Sequence, residues 1–470
     1  MTNGGEKEQY VAINMAPTST SQVYSAPNQV TSSADIQSQL YMAMMANLKP
    51  EQQAQLQAAM EIQARKLANR MYMTRTIRKL GPALTNGSPT QAYVINTPLT
   101  FNLSTSLNGY CEGIIIRVVL NYTLAAGTGA TYALTAAGKL GILDTIEIRY
   151  NKSQVKLRAF DLRQLSLLGG LDEYVIPNQV LVGQQDSTIQ GYLNPTMPVA
   201  TGAQTTSLEF FIPFNLVNPK DARGLLPLMA GDTGIQVIIN TPVSLLPTAT
   251  VNVADPLLNS FVWTAGTGPG ISAITGTIAV DAVFRDGDTY STTTKLPFDI
   301  SLLEGTFQAQ LDQILAPLVA NTIQRTKINI MGHHYYVLLK VIDAVQATQC
   351  ATQGNITYIE AAKDGVGGNV FWKYGTQTNL SVYDYQFLNR LGKSQDLDPG
   401  IFAFVQEPTD SVGSPMSALR ESFDGYLDNT RTGWADWRYG VQCAAVGTMG
   451  AGPRIEPTVF YVNPTGLVPV

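Results

Sequence analysis

Beyond residue 90 the sequence is a succession of short runs rich in Ile, Val, Phe, Tyr and Thr, and no other feature constrains the fold as strongly. Branched and aromatic side chains fit a pleated, half-buried surface. The first series comprises Val94–Leu103, Gly113–Leu124, Leu140–Tyr150, Ser207–Leu216, Ile235–Asn240 and Gly276–Phe284. Turn clusters such as Ala126-Gly127-Thr128-Gly129 and Asp286-Gly287-Asp288 divide the chain around them. Within Ile142–Tyr150, Ile142, Asp144, Ile146, Ile148 and Tyr150 fall on one face and Leu143, Thr145, Glu147 and Arg149 on the other, the period of a strand. A second series follows Leu296-Pro297: Thr326–Ile330, Tyr335–Ile342, Gly368–Tyr374, Ile401–Val405, Tyr439–Ala445 and Thr458–Val462. Helical pieces are expected at Phe160–Leu168, Pro219–Met229 and Met416–Leu427. No period of about 20–50 residues is present, which excludes a solenoid or a propeller.

Two such series in 470 residues point to two domains. Many short strands joined by Gly, Pro and Asn turns build sandwiches or barrels, and at this length eight-stranded jelly rolls fit better than immunoglobulin domains of about 100 residues. The expected fold is mainly β: two consecutive eight-stranded jelly rolls, residues 91–292 and 293–470, with short helices between strands and a helical arm ahead of them.

The N-terminal part is different in kind. Residues 1–34 are rich in Thr, Ser, Asn, Gln and Pro without a period and read as a flexible tail. Residues 35–90 read as a helical arm, basic and Met-rich; Gln, Ala, Met and Leu are good helix formers, and Pro50-Glu51 suits a helix start. Leu56, Met60, Ala64, Leu67 and Met71 then form one stripe, which shifts face to Met73, Ile77 and Leu80, so a bend is expected near Tyr72–Thr74 and an end at Gly81-Pro82. Arg65, Lys66, Arg70, Arg75, Arg78 and Lys79 lie in this segment with no acid among them. These six cations leave −11 on the rest of a chain whose net charge is −5. A basic amphipathic helix on an acidic body suits anionic lipid headgroups, nucleic acid or an acidic groove of a neighbouring subunit. Eight of the 13 methionines precede residue 81, and Met adapts to irregular apolar surfaces.

Catalytic signals are sparse. The two histidines, His333 and His334, are adjacent on an expected strand and therefore point to opposite faces, so a structural role is expected for both. No Gly-x-Ser-x-Gly elbow occurs. Gly266-Thr267-Gly268-Pro269-Gly270 has a proline where a phosphate loop needs N–H groups, and Gly138-Lys139-Leu140 lacks the rest of a P-loop. Asp286-Gly287-Asp288 and Lys363-Asp364-Gly365 read as hairpin turns rather than calcium loops. Cys111, Cys350 and Cys443 are odd in number and far apart, which supports neither a disulfide framework nor a metal site. No catalytic residue, metal or cofactor is assigned. Charged residues are only 14% of the chain, against about 25% in ordinary soluble domains, which suits a surface buried against copies of itself. A net charge of −5 argues against wrapping nucleic acid, and no sequence-specific nucleic-acid partner is expected. No signal-peptide pattern and no run of about 18 apolar residues is seen, so synthesis in a cytoplasm without crossing a bilayer is expected.

Taken together, these features resemble the double jelly-roll major capsid proteins of the tectivirus-like group, tailless icosahedral viruses with an internal membrane. Gln52–Leu67 is similar to that family's helical arm. Leu208–Asn215, Pro219–Met229 and Ile235–Asn240 resemble the strand F, short helix and strand G passage of its first roll, and Tyr385–Asp398 and Met416–Leu427 sit where its second roll carries a loop and helix. The resemblance implies a non-enzymatic virion protein, made in the host cytoplasm, whose trimers have a pseudo-hexagonal outline and tile a shell. It implies as partners copies of itself, penton and minor capsid proteins, and either internal lipid or neighbouring capsomers reached by the arm through Met60, Arg65, Lys66, Leu67, Arg70, Met71, Arg75, Arg78 and Lys79. Two other readings stand beside it. A β-sandwich receptor- or glycan-binding protein would present aromatics in loops, for which Phe371-Trp372, Trp434 and Trp437 are candidates. A carbohydrate-active enzyme would bring together two acids from separate strands.

Overall fold

In the computed structural model the described residues are 49–54 and, with breaks, 78–463; the longest breaks are 168–194, 287–305, 375–396 and 406–426. Pro50 opens a helical turn over 50–54, as expected. There the Gln53 amide donates to Lys49 O at 2.9 Å and the Lys49 amide donates to the Gln52 side chain at 3.2 Å. All the strands lie in one compact unit formed by Thr76–Lys295 and Asp299–Val470.

The first roll contains β1 (Arg78–Leu84), β2 (Thr90–Ala92), β3 (Pro98–Leu103), β4 (Gly109–Leu124), β5 (Thr128–Leu134), β6 (Thr145–Tyr150), β7 (Ser153–Leu157), helix α1 (Ala159–Leu167), β8 (Gly202–Pro213), β9 (Leu226–Leu228), β10 (Gln236–Asn240), β11 (Phe261–Thr267) and β12 (Ile271–Asp286). Its two four-stranded faces run in the orders β8-β4-β12-β1 and β3-β10-β6-β7. The second roll contains β13 (Thr306–Leu311), β14 (Ala316–Pro317), β15 (Gln324–Lys327), β16 (His333–Ile342), β17 (Ile356–Lys363), β18 (Asn369–Tyr374), β19 (Ile401–Val405), β20 (Leu427–Asp428), β21 (Trp437–Cys443) and β22 (Arg454–Asn463). Its faces run β19-β16-β22-β13 and β15-β21-β17-β18.

The two orders are the same, strand for strand. The match extends to details. The short strands β2 and β14 each continue along the strand that β1 and β13 pair with, namely β12 and β22. The short strands β9 and β20 pair with the first residues of β4 and β16. Both β4 and β16 carry one extra residue against their partner, Glu112 between Cys111 and Gly113, and Tyr335 between His334 and Tyr336. Glu147 of β6 faces Lys156 of β7, as Glu360 of β17 faces Lys373 of β18. A shared bulge position is a built-in feature of a sheet rather than a defect. The first roll adds a two-stranded ribbon, β5 with β11, which carries no charged residue.

Alternating residues fill each roll. Ile114, Ile116, Val118, Leu120 and Tyr122 of β4 and Leu208, Phe210 and Ile212 of β8 enter one apolar core. Val337, Leu339 and Val341 of β16 enter another with Phe402, Phe404, Tyr439, Val441 and Val459. Full burial of such side chains is worth about 1.5–3 kcal/mol each. At Gly276 the strands β12 and β4 approach so closely that a Cβ would lie 2.1 Å from Val119 O and 3.1 Å from Leu120 Cα. Those obstacles are backbone and cannot swing aside, so Gly276→Ala is expected to cost about 1–3 kcal/mol in chemical denaturation, the range for overpacking a sheet core.

Several expectations are corrected. Gly81-Pro82 does not end a helix: Arg78–Leu84 form a strand. Gly81-Pro82 lies within β1, where the chain leaves β12 (paired with Arg78–Pro82) for β3 (paired with Ala83 and Leu84). Proline lacks a ladder donor and is tolerated where a strand changes partner. The first roll therefore includes β1. Residues Gly138–Ile142 form a 3-10 turn rather than the start of a strand, with Gly138 at φ +49° and Lys139 N bonded to Pro195 O at 2.7 Å. Leu226–Leu228, placed in a helix on sequence grounds, is strand β9; the remainder of Pro219–Met229 and nearly all of Met416–Leu427 lie outside the described residues.

Candidate functional site

The two rolls are joined by one seam. Strand β13 of the second roll lies parallel to β7 of the first, with Ala309 opposite Val155 and Gln310 opposite Lys156, so hydrogen bonding runs without a break from one roll into the other. Beside the seam sits a cluster of buried charges contributed by both rolls. Helix α1 starts directly after β7, and its third residue, Asp161, accepts from the Arg158 amide at 2.9 Å, which caps the helix and fixes both side chains at the seam. The Arg158 guanidinium grips Glu456 of β22 with two bonds, Nε to Oε1 at 2.6 Å and Nη2 to Oε2 at 3.1 Å, and also donates to Asp144. Lys340 of β16, fully buried, donates to Asp161 Oδ1 at 2.5 Å and to Thr458 at 2.7 Å, and lies 3.3 Å from Glu456. Arg454 of β22 reaches back to Asp255 of the first roll at 2.5 and 3.3 Å.

A further contact extends the cluster. Arg163 on α1 holds Asp398 of the second roll with bonds of 2.7 and 3.0 Å. Gln164 both donates to the Asp398 carboxylate at 2.5 Å and accepts from its amide at 3.1 Å. The inner cluster thus sets three cations, Arg158, Lys340 and Arg454, against four carboxylates, Asp144, Asp161, Asp255 and Glu456. Burial works against the charge on Glu456, yet Arg158, Lys340 and Arg454 hold its pKa well below the usual carboxylate range. Burial also works against the charges of Arg158 and Arg454, but Glu456 and Asp255 respectively keep both guanidinium groups more basic than usual. Carboxylates buried against cations in this way pack and orient; Asp161, Asp255 and Glu456 offer no open face to a dissolved substrate.

The residues singled out from sequence fall elsewhere. Met60, Arg65, Lys66, Leu67, Arg70, Met71 and Arg75 lie outside the described residues. Arg78 and Lys79 stand in β1 opposite Arg285 and Phe284, which leaves four of the six arm cations ahead of the first strand. His334 is buried and its Nε2 lies 2.7 Å from Ile330 O, with its ring edge-on to Tyr461 at 6.1 Å, a structural setting. All three cysteines are buried; burial raises the thiol pKa of Cys111 and Cys350 and pushes Cys443 up to about 12. Phe371, Trp372 and Trp437, candidates for loop-borne glycan contacts, are strand residues of β18 and β21, and Trp434 lies outside the described residues. Among the described residues no His, Cys, Asp and Glu group is arranged to hold a metal, and no helix is long and apolar enough to cross a membrane. The junction charges escaped the sequence reading because each stands alone in the chain: Arg158 and Glu456 are 298 positions apart.

Two eight-stranded rolls of matching topology in one chain define a double jelly roll. Among solved structures the chain is similar to the major capsid protein of Sulfolobus turreted icosahedral virus, at 12% identity and a TM-score of 0.50, over 82% of this chain and 96% of that one. It is also similar to the major capsid protein P2 of bacteriophage PM2 (9% identity, TM-score 0.39, 83% and 100% covered) and to the mavirus major capsid protein (10% identity, TM-score 0.39, 82% and 87% covered). No protein-family model and no curated protein matches the sequence.

Proposed function

We propose that this chain is a major capsid protein, a non-catalytic building block of an icosahedral viral shell that associates as three-chain, pseudo-hexagonal capsomers. The observation that carries this reading is the pair of equivalent rolls fastened by a buried charge cluster, in a fold shared over most of its length with a turreted icosahedral virus's major capsid protein. Three chains with two rolls each would place six similar bodies around one closed axis, a block that tiles a surface. The low charge content supports extensive burial between copies. Light scattering after gel filtration is expected to give three chains per particle, with hexagonal outlines in negative stain. A stable monomer at micromolar concentration overturns the reading.

The N-terminal arm would face an internal membrane or neighbouring capsomers, using Arg65, Lys66, Arg70 and Arg75 for charge and Met60, Leu67 and Met71 for apolar contact. Penton and minor capsid proteins would be further partners in the virion, after synthesis in the host cytoplasm. Since β1 begins at Arg78, a chain starting at Thr76 keeps both rolls whole. It is expected to form the same particles as the full chain but to lose flotation with anionic vesicles at physiological salt. Equal flotation of both chains removes the lipid role of the arm.

A further inference from the structure

The seam inside the chain predicts the contact between chains. Where β13 meets β7, the outer strand of one roll's face lies parallel to the edge strand of the other roll's opposite face. Because the rolls are equivalent, each chain has a second copy of both halves of this seam, and among the described residues the two copies do not pair with each other. The counterpart of β7 is β18, which pairs with β17 on one side and with no described strand on the other. The counterpart of β13 is β1, which over Arg78–Pro82 pairs with β12 on one side and with no described strand on the other.

We infer that β1 of one copy adds in parallel to β18 of the next, reproducing the internal seam between molecules. The inference rests on the capsomer reading above and names the surface that would close it. The equivalence fixes the register. Leu80 is opposite Val283 and Ala309 is opposite Phe460, the residue in each case bordering the shared bulge, so Leu80 stands where Ala309 does. Lys373 faces Glu360 as Lys156 faces Glu147, so Trp372 and Lys373 stand where Val155 and Lys156 do. The internal pairs Ala309–Val155 and Gln310–Lys156 therefore translate to Leu80–Trp372 and Gly81–Lys373 between copies.

Two observations favour a second copy as the occupant. Leu80 is 37% exposed, one of few large apolar side chains left open among the described residues, and the register sets it beside an aromatic residue. An unpaired strand edge is also a template for another strand. A contact of this head-to-tail kind makes a closed ring when its rotation closes.

Disulfide trapping tests the register in the full-length protein. One variant carries Leu80→Cys with Trp372→Cys. A second carries Ala309→Cys with Val155→Cys and reports the internal seam. The buried native thiols keep the background low. Mild oxidation is expected to give the first variant a reducible covalent ladder ending at three chains, and the second a cross-link within one chain. If light scattering shows three-chain particles and the internal pair cross-links while the Leu80–Trp372 pair does not, the proposed seam is wrong and the capsomer reading stands. If the internal pair cross-links but the protein is monomeric, both fall. Leu80→Arg supplies an independent check: it is expected to shift particles to single chains at micromolar concentration while the internal cross-link still forms, and unchanged particles overturn the seam.

Discussion

Replacing Lys340 with Met is expected to destabilise the protein by about 3–5 kcal/mol, the cost of leaving a buried charge without its partner. Lys340 is wholly enclosed and bonded to Asp161, Thr458 and, at 3.3 Å, Glu456. The Met side chain fills similar space, so the loss measures charge rather than cavity. Asp161→Asn should then cost less in the Lys340→Met background than alone, because the carboxylate it removes has already lost a cation; such coupling identifies neighbours acting as a unit. Chemical denaturation of the four chains checks both statements, and additive losses would show that the cluster does not act as one. The net value of a buried ion cluster over an apolar replacement is small or negative. Asp144, Arg158, Asp161 and Asp255 of the first roll meet Lys340, Arg454 and Glu456 of the second with opposite charges paired.

Acid should act on the same cluster with a defined sign. The folded protein holds the Glu456 pKa below its unfolded value of about 4.3 through Arg158, Lys340 and Arg454, despite burial. The contribution of this group is therefore fully present above that unfolded pKa and is lost as pH falls toward the lower folded value. Glu456→Gln is expected to weaken the protein by about 3–5 kcal/mol at pH 7, since it leaves Arg158 and Lys340 short of a buried counter-charge. Below about pH 4 the wild-type chain should lose stability with pH more steeply than the variant. Denaturation midpoints measured from pH 7 to pH 2.5 check this. Parallel curves would mean that Glu456 does not titrate with folding.

Strands with a clear alternation or dense branched residues were legible in the sequence: β4, β12, β16 and β22 contain their expected runs, and β8 takes in Ser207–Pro213 of the expected Ser207–Leu216. Strand β17 was not, because ITYIEAAK ends in Glu, Ala and Lys, residues that favour helices; Glu360 is held by Arg325 and Tyr358 at 2.6 and 2.7 Å. Strand β1 was hidden by its basic residues and Gly81-Pro82, which imitate the end of a helix. The helix Phe160–Leu168 was found almost in place, as α1. The duplication was invisible as a repeat because it survives in strand order and bulge position rather than in residue identity; Cys111 and His334, Glu112 and Tyr335 occupy equivalent places. The junction needed three dimensions, since nothing along the chain joins Asp255 to Arg454 or Arg163 to Asp398.

The β5–β11 ribbon makes the two rolls unequal. Its outer residues Thr131, Thr264, Ala265, Gly266 and Thr267 are exposed, and the described part of the second roll has nothing like it. In a six-body ring built from such chains the ribbon would decorate every other position, so a ligand or fibre landing on the ring would meet three identical perches instead of six. In such a ring, fusing both rolls in one polypeptide would let one half evolve ornament while the other half keeps the outline.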